Sequence, residues 1–302
     1  MFLIKRIING VLGKLGFRII RIANYENQPV ERGCFTADSV VISDYKYTPT
    51  VRHSFPDSRV GKIIKDDFQF NKQQYLKRID TIKRFASSLK CIPLRDDENS
   101  GRPYWINGWI PAIDGAMIYV MLASRNPRFY VECGSGNTTK FAAKAIRDHQ
   151  LRTKIISIDP MPRQEIDDLC EKVYRIPFED MDLNFFNDLS SEDIFIIDNS
   201  HRAFPNSDVT VFFTEVLPEL PSGLIYALHD IALPNETYSE RYYNEQYMLA
   251  TYMIGGAMND KIYFPTGFLS NHTSLLHELT QELQIHDLPF YNIDGFFWMI
   301  RG

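Results

Sequence analysis

Between residues 128 and 228 short unbroken apolar runs recur, and each ends in a polar cluster rich in glycine, aspartate or histidine. Runs such as Ile194-Phe195-Ile196-Ile197 and Leu224-Ile225-Tyr226-Ala227-Leu228 have no charged side chain to turn toward water. They require strands covered on both faces. Helix-length segments separate them, which is the rhythm of βαβ units. Parallel strands are expected at 128–133, 154–159, 173–176, 193–197 and 223–228, with helices starting near Thr138, Gln164, Asp182 and Asn206. Two more apolar runs, 261–264 and 296–301, would complete a seven-stranded, mostly parallel sheet. The expected class is therefore α/β: a Rossmann-like doubly wound domain with an N-terminal helical and irregular extension.

Upstream the pattern differs. Leu76, Ile79, Ile82, Phe85, Ala86 and Leu89 repeat at three and four, predicting a helix over 72–89. Residues 24–70 mix Pro, Asp, Ser and aromatic residues without a sustained period and read as irregular structure with short strands. A charged stretch ending in Gly101 puts a boundary near residue 100, so 25–100 is an extension and 101–302 the main domain. In residues 1–24, Ile4, Ile8, Val11, Leu12, Leu15, Ile19 and Ile22 share one helical face. Five basic residues and no acidic one accompany them, which suits peripheral contact with an anionic membrane surface. Packing of that face on the protein itself or on a second subunit explains the pattern at least as well, and Gly10, Gly13 and Gly16 weaken any helix there.

Composition narrows the function classes. With 44% hydrophobic and 24% charged residues in 302, the chain can bury a core, and a formal net charge of -5 argues against a general nucleic-acid binder. The four cysteines, Cys34, Cys91, Cys133 and Cys170, form neither a C-x-x-C pair nor a disulfide framework, so a reducing cytoplasm is expected. No apolar run approaches the ~18 residues that span a bilayer, and no secretion signal is evident.

Ligands of an open parallel sheet bind beyond the C-terminal ends of its strands, which makes the strand-end residues the ones that matter. The first strand ends in Glu132-Cys133-Gly134-Ser135-Gly136-Asn137-Thr138-Thr139, where two glycines permit a tight turn and close backbone approach before a helix N-terminus with free amides. A third glycine at dinucleotide spacing is missing, which disfavours a nicotinamide-dependent dehydrogenase. Asp159 closes the second strand, where a carboxylate accepts hydrogen bonds from ribose hydroxyls. Phe178, Glu179 and Asp180 follow the third strand and offer a face and an acceptor for an adenine. The fourth strand ends in Asp198-Asn199-Ser200-His201 and the fifth in His229-Asp230. Asp198, Asp230 and His229 could share a divalent cation such as Mg²⁺, and His201 has the chemistry of a general base near neutral pH. Each alone would pass for a helix cap or loop residue; four at one sheet edge point to a site.

In sum these segments resemble class I S-adenosylmethionine-dependent methyltransferases. The likeness lies closest to the branch of metal-dependent sugar O-methyltransferases and cephalosporin-hydroxylase-like relatives. It rests on VECGSGNTT at 131–139, SIDP at 157–160, DIFIIDNSHR at 193–202, EVLPEL at 215–220 and LHDIALP at 228–234, extended by YNEQYMLATYM at 243–253 and GFFWMIR at 295–301. The resemblance implies that Glu132, Gly134, Ser135, Gly136 and Thr138 shape the methionine end of an S-adenosylmethionine pocket, with Asp159 on the ribose and Asp180 near the adenine. It further implies Asp198 as a metal ligand and His201 as the base. Where relatives carry an acidic pair after the fifth strand, this chain has His229-Asp230.

The implied reaction is methyl transfer to a hydroxyl of a glycan, a glycolipid precursor or a glycosylated small molecule. Tyr104, Trp105, Trp109, Tyr238, Tyr242 and Tyr243 are candidate stacking surfaces for the acceptor. The competing readings are a catalytically silent nucleotide-binding protein and a metal-dependent hydroxylase or hydrolase on the same fold.

Overall fold

A computed structural model describes residues 55–97, 100–236, 243–283 and 294–302. The basic segment 1–24, most of the stretch read as irregular, and Tyr238 and Tyr242 lie outside the described residues.

Among the described residues seven strands form one sheet: β1 Phe129–Cys133, β2 Lys154–Ile158, β3 Lys172–Tyr174, β4 Ile194–Ile197, β5 Ile225–Leu228, β6 Lys261–Pro265 and β7 Phe297–Ile300. Their order is β3-β2-β1-β4-β5-β7-β6. The first five strands pair in parallel and β7 runs antiparallel to both neighbours. Every residue of β4 and β5 is buried, because helices and loops cover both faces, and this is why those runs are continuously apolar. The order reverses at β1 and β4, and the crevice beyond their C-terminal ends is the place where such sheets bind ligands.

Among the described helices are α1 Arg59–Phe70, α2 Lys72–Arg84, α3 Ala112–Arg125, α4 Asn137–His149, α5 Glu245–Ile254, α6 Thr266–His272 and α7 Leu275–Glu282. The apolar helix α3 buries all residues from Ala112 to Leu122. It ends at Asn126, whose left-handed backbone (φ 48°) stops the helix just before β1. No described helix is long and apolar enough to cross a membrane.

Three expectations need correction. Residues 59–70 are helical rather than irregular; Ser58 caps the helix through its hydroxyl on Gly61 N (3.2 Å), but only Val60, Gly61 and Ile64 are buried, too few for a visible period. The helix expected over 72–89 breaks at Phe85, whose ring is drawn between Tyr119 and His149, and resumes for one turn at Ala86–Leu89. The helices expected near Gln164 and Asp182 are short 3₁₀ turns, Asp167–Leu169 and Leu183–Asp188. Pro160, Pro162 and Pro177 interrupt those connections by removing backbone donors. The segment near Asn206 is Asp208–Val211, a single α turn that widens into a π turn at Phe212–Val216.

Val60, Ile64, Tyr75 and Ile79 join the same apolar core as the sheet, and Arg78 donates to the Tyr263 carbonyl at 2.6 Å. The first two helices thus brace the β6 edge rather than lining the crevice.

Candidate active site

The turn after β1 is tied to strands on either side. Gly134 N donates to Ile158 O (3.0 Å) and Asp198 N donates to Cys133 O (2.7 Å), which pins the loop between β2 and β4. Gly134 sits at φ +82°, and a Cβ there would lie 1.8 Å from the Asp198 carbonyl oxygen. Only glycine fits. Gly136 is extended, and a Cβ would meet nothing nearer than Gln164 Cγ at 3.7 Å. Beneath the loop, Glu132 is fully buried and accepts from the Thr139 hydroxyl, which in turn accepts from Gly136 N at 3.0 Å. Burial pushes the Glu132 carboxyl up to about 7 despite these hydroxyl contacts. Its role is to hold the loop from behind.

Asp159 ties the second wall to the first. One of its oxygens accepts from Ser135 N and the other from Met161 N, both at 2.8 Å, while Ser135 and Ser157 share a hydroxyl hydrogen bond of 2.7 Å. A carboxylate oxygen has two lone-pair directions, so Asp159 keeps capacity for further donors.

A cleft of about 680 Å³ opens above these residues. Gly134, Ser135, Asp159 and Phe178 line one end; His201, Asp230, Tyr243 and Asp294 line the other. Gly136 and Thr138 border a smaller adjoining recess with Asp198. Asp180 is exposed and does not line the cleft; Glu179 does, because the 3₁₀ turn Phe178–Asp180 rotates Asp180 outward. At the rim, Arg163 stacks on the Trp109 ring at 4.4 Å. Of the aromatic candidates, Tyr104 and Trp105 are buried in the core, whereas Trp109 and Tyr243 face the cleft.

At the far end, charges alternate around a ring. His201 Nε2 lies 3.3 Å from Asp198 Oδ1 and 3.5 Å from Asp230 Oδ2. His229 Nδ1 lies 3.2 Å from Asp198 Oδ1 and 3.3 Å from Asp230 Oδ1. Each carboxylate stands between two imidazoles and each imidazole between two carboxylates. Two more buried acids back the ring: Glu245 Oε2 lies 2.9 Å from His201 Nδ1, and Asp114 Oδ2 lies 3.9 Å from His229 Nε2. His201 and Asp230 both hold left-handed backbones, at φ 58° and 52°. Such strain in non-glycine residues costs roughly 1–3 kcal/mol each and gathers at functional sites.

Electrostatics follow from this packing. Burial works against the charged form of His229, but Asp198 and Asp230 outweigh it and raise the imidazole to about 10. His201 is likewise held well above its ordinary value: burial opposes its charge, while Asp198 and Glu245 favour it. Burial works upward on Asp198, yet the two imidazoles hold its carboxyl below the usual carboxylate range. Asp114, desolvated and only partly compensated by His229, is pushed up to about 6.

This donor set does not fit the divalent cation the resemblance implies. Half of the set is imidazole nitrogen, each within 3.2–3.5 Å of two carboxylate oxygens, whereas a hard cation such as Mg²⁺ takes an oxygen shell. Among the described residues no group of three or more His, Cys, Asp or Glu is arranged to hold a metal ion.

The strand-end candidates therefore converge, apart from Asp180, which turns outward, and Glu132, which lies behind the loop. Glu245 and Asp114 are additions that sequence reasoning passed over. A lone acid inside the apolar helix α3 was the available signal for Asp114; Glu245 looks like any first-turn helix acid.

Residues 131–231 match a family model described as a methyltransferase domain. The sequence matches no curated protein at significant similarity. Among solved structures it is similar to an O-methyltransferase of tomaymycin synthesis from Streptomyces achromogenes in complex with SAM, at 12% identity over 64% of this chain and 81% of that one, with a TM-score of 0.37. It is also similar to an O-methyltransferase from Bacillus cereus in complex with SAH, at 10% identity over 74% of this chain and 90% of that one, with a TM-score of 0.38.

Proposed function

We propose that this chain, whose residues 131–231 match a methyltransferase-domain model, is a class I, S-adenosylmethionine-dependent methyltransferase that transfers the methyl group to a hydroxyl oxygen of a sugar-bearing acceptor. The observation that carries this reading is that a single cleft joins the glycine turn and Asp159 to the His201 imidazole. S-adenosylmethionine supplies an electrophilic methyl group on a sulfonium centre. Everything else falls to the protein. The N-terminal end of α4, with its partial positive charge, suits the methionine carboxylate, and Asp159, whose carboxylate already accepts from Ser135 N, suits the ribose hydroxyls. Acceleration then comes from holding the acceptor oxygen in line with the methyl group and from His201 Nε2 taking the hydroxyl proton.

A sugar is supported by the lining of the acceptor end. Tyr243, whose ring packs against His201 (4.6 Å) and Arg202 (5.4 Å), lines the cleft together with Asn199, Ser200, Asp230 and Asp294. A wall in which several hydrogen-bonding groups stand beside an aromatic side chain suits a hydroxyl-rich ring. The test is a panel of glycosides and their aglycones incubated with isotopically labelled S-adenosylmethionine. Label on a sugar oxygen is the expected product. Label on aglycones alone removes the sugar, and cofactor binding without transfer to any acceptor favours the silent binding protein. Because the imidazole ring leaves no seat for a divalent cation, turnover in the same assay should be unchanged by EDTA. Loss of turnover with EDTA and recovery with Mg²⁺ would restore the metal.

A lipid-linked acceptor is the narrower form of this reading, supported by the basic, apolar character of residues 1–24. Full-length protein should then sediment with anionic vesicles, and protein lacking residues 1–24 should not; equal sedimentation of the two removes the idea.

A further inference from the structure

The N-terminal turn of α5 departs from ordinary capping. Asn244 occupies the N-cap, yet its side chain makes no bond to its own helix; its Oδ1 accepts instead from Ala203 N at 2.6 Å. An N-cap side chain ordinarily bonds to its own helix, and here that bond is diverted to the loop after β4. Two backbone amides of the same turn, Asn244 N (2.9 Å) and Glu245 N (3.2 Å), converge on the His201 carbonyl. Three hydrogen bonds from one helix end therefore clasp residues 201–203, the segment in which His201 holds its left-handed backbone.

Glu245 completes the clasp from the side-chain direction. Its Oε2 meets His201 Nδ1 at 2.9 Å, the residue is 1% exposed, and its other oxygen has no hydrogen-bond partner among the described residues. Keeping a buried carboxylate oxygen bare costs free energy that an apolar side chain would not incur. That cost suggests a role for the carboxylate beyond filling space.

We propose that Glu245 is a positioning residue for methyl transfer, which holds the proton of His201 on Nδ1 so that Nε2 is the nitrogen facing the acceptor. Imidazole carries its neutral-state proton on whichever nitrogen finds the better acceptor, and a buried carboxylate at 2.9 Å decides between them. Without Glu245, the neutral ring would place its proton on Nε2, toward Asp198 and Asp230, and could no longer accept one from a hydroxyl. The inference rests on His201 acting as the base, but its first test does not.

The groups facing His201 are Asp198 on its own loop, Asp230 after β5, Glu245 on α5 and the ring of Tyr243. Long-range ¹H–¹⁵N spectra of the histidine rings in the full-length protein, titrated with base, would read the tautomer directly. His201 resonances are assigned by their absence in His201→Gln. A neutral ring protonated at Nδ1 is expected, with a titration midpoint that falls in Glu245→Gln. A ring protonated at Nε2, or an unmoved midpoint, would overturn the proposal. With an acceptor from the panel, Glu245→Gln should lower kcat about tenfold or more, leave KM for S-adenosylmethionine within about twofold, and move the pH–rate midpoint down. Glu245→Asp should recover part of the loss. Unchanged kcat and pH profile in a folded Glu245→Gln would reduce the residue to a structural one. If Glu245→Gln does not fold, the wild-type tautomer alone decides. Should His201→Ala keep full turnover while the spectra show the Nδ1 proton, the base assignment fails and the pairing stands.

Discussion

Gly134→Ala is expected to abolish measurable cofactor binding. Two costs act together. Alanine at φ +82° carries a backbone penalty of roughly 1–2 kcal/mol, and its methyl group would sit 1.8 Å from the Asp198 carbonyl oxygen. The second cost dominates, because the obstacle is backbone. Relieving it means separating the β1 turn from the end of β4, which breaks the Asp198 N to Cys133 O hydrogen bond and displaces both halves of the cleft. A loss of S-adenosylhomocysteine affinity of about a hundredfold or more is expected, equal to roughly 2.8 kcal/mol. Gly136→Ala is the control. Its backbone is extended and its nearest obstacle is the flexible Gln164 side chain at 3.7 Å, so affinity should stay within about threefold. Calorimetry on both variants separates them, and equal losses would mean that the two glycines act through general flexibility.

His201→Ala should leave the cofactor affinity within about twofold and lower methyl transfer by about 10²- to 10⁴-fold, the range associated with a positioned general base. The pH dependence has a definite sign. A base works when neutral, and Asp198, Asp230 and Glu245 all favour the charged ring, so its midpoint lies above the ordinary histidine value. Turnover of the wild type should therefore climb with pH through neutrality and level off in the alkaline range. The positive charge of a sulfonium in the same cleft opposes the imidazolium and moves the midpoint part of the way back. His201→Ala should lose the slope along with the rate. A wild-type profile that is flat from pH 6 to 9, or a variant that retains turnover, would remove His201 from the chemistry.

The sheet was legible because strands buried on both faces leave no choice of residue. Ile194–Ile197 and Ile225–Leu228 had to be apolar throughout, and no helix of four residues needs that. The convergence of the strand-end residues was legible for a related reason. Once the strand order is parallel, the residues after each strand must meet at one edge, so Asp198, His201, His229 and Asp230 could be grouped without any contact being known. What stayed hidden depends on tertiary placement. Glu245 comes to His201 across 44 residues, and Asp114 reaches the Phe296 amide across 182. Gly134 and Gly136 look alike in sequence, yet only the first faces another strand's backbone. Asp180 and Glu179 are neighbours of the same charge, and a 3₁₀ turn decided which one faces the cleft. The cation expected from the likeness to metal-dependent relatives depended on an acidic pair. His229 in place of the first acid lets the ring close on imidazoles instead.

Calorimetric titration of the full-length protein with S-adenosylmethionine and S-adenosylhomocysteine tests the central claim most directly. One molecule of either ligand should bind per chain, and Asp159→Ala, which loses the carboxylate that joins the glycine turn to β2, should weaken both by about tenfold or more. Absence of binding by either ligand to a folded wild-type protein would contradict the assignment and leave the fold without this function.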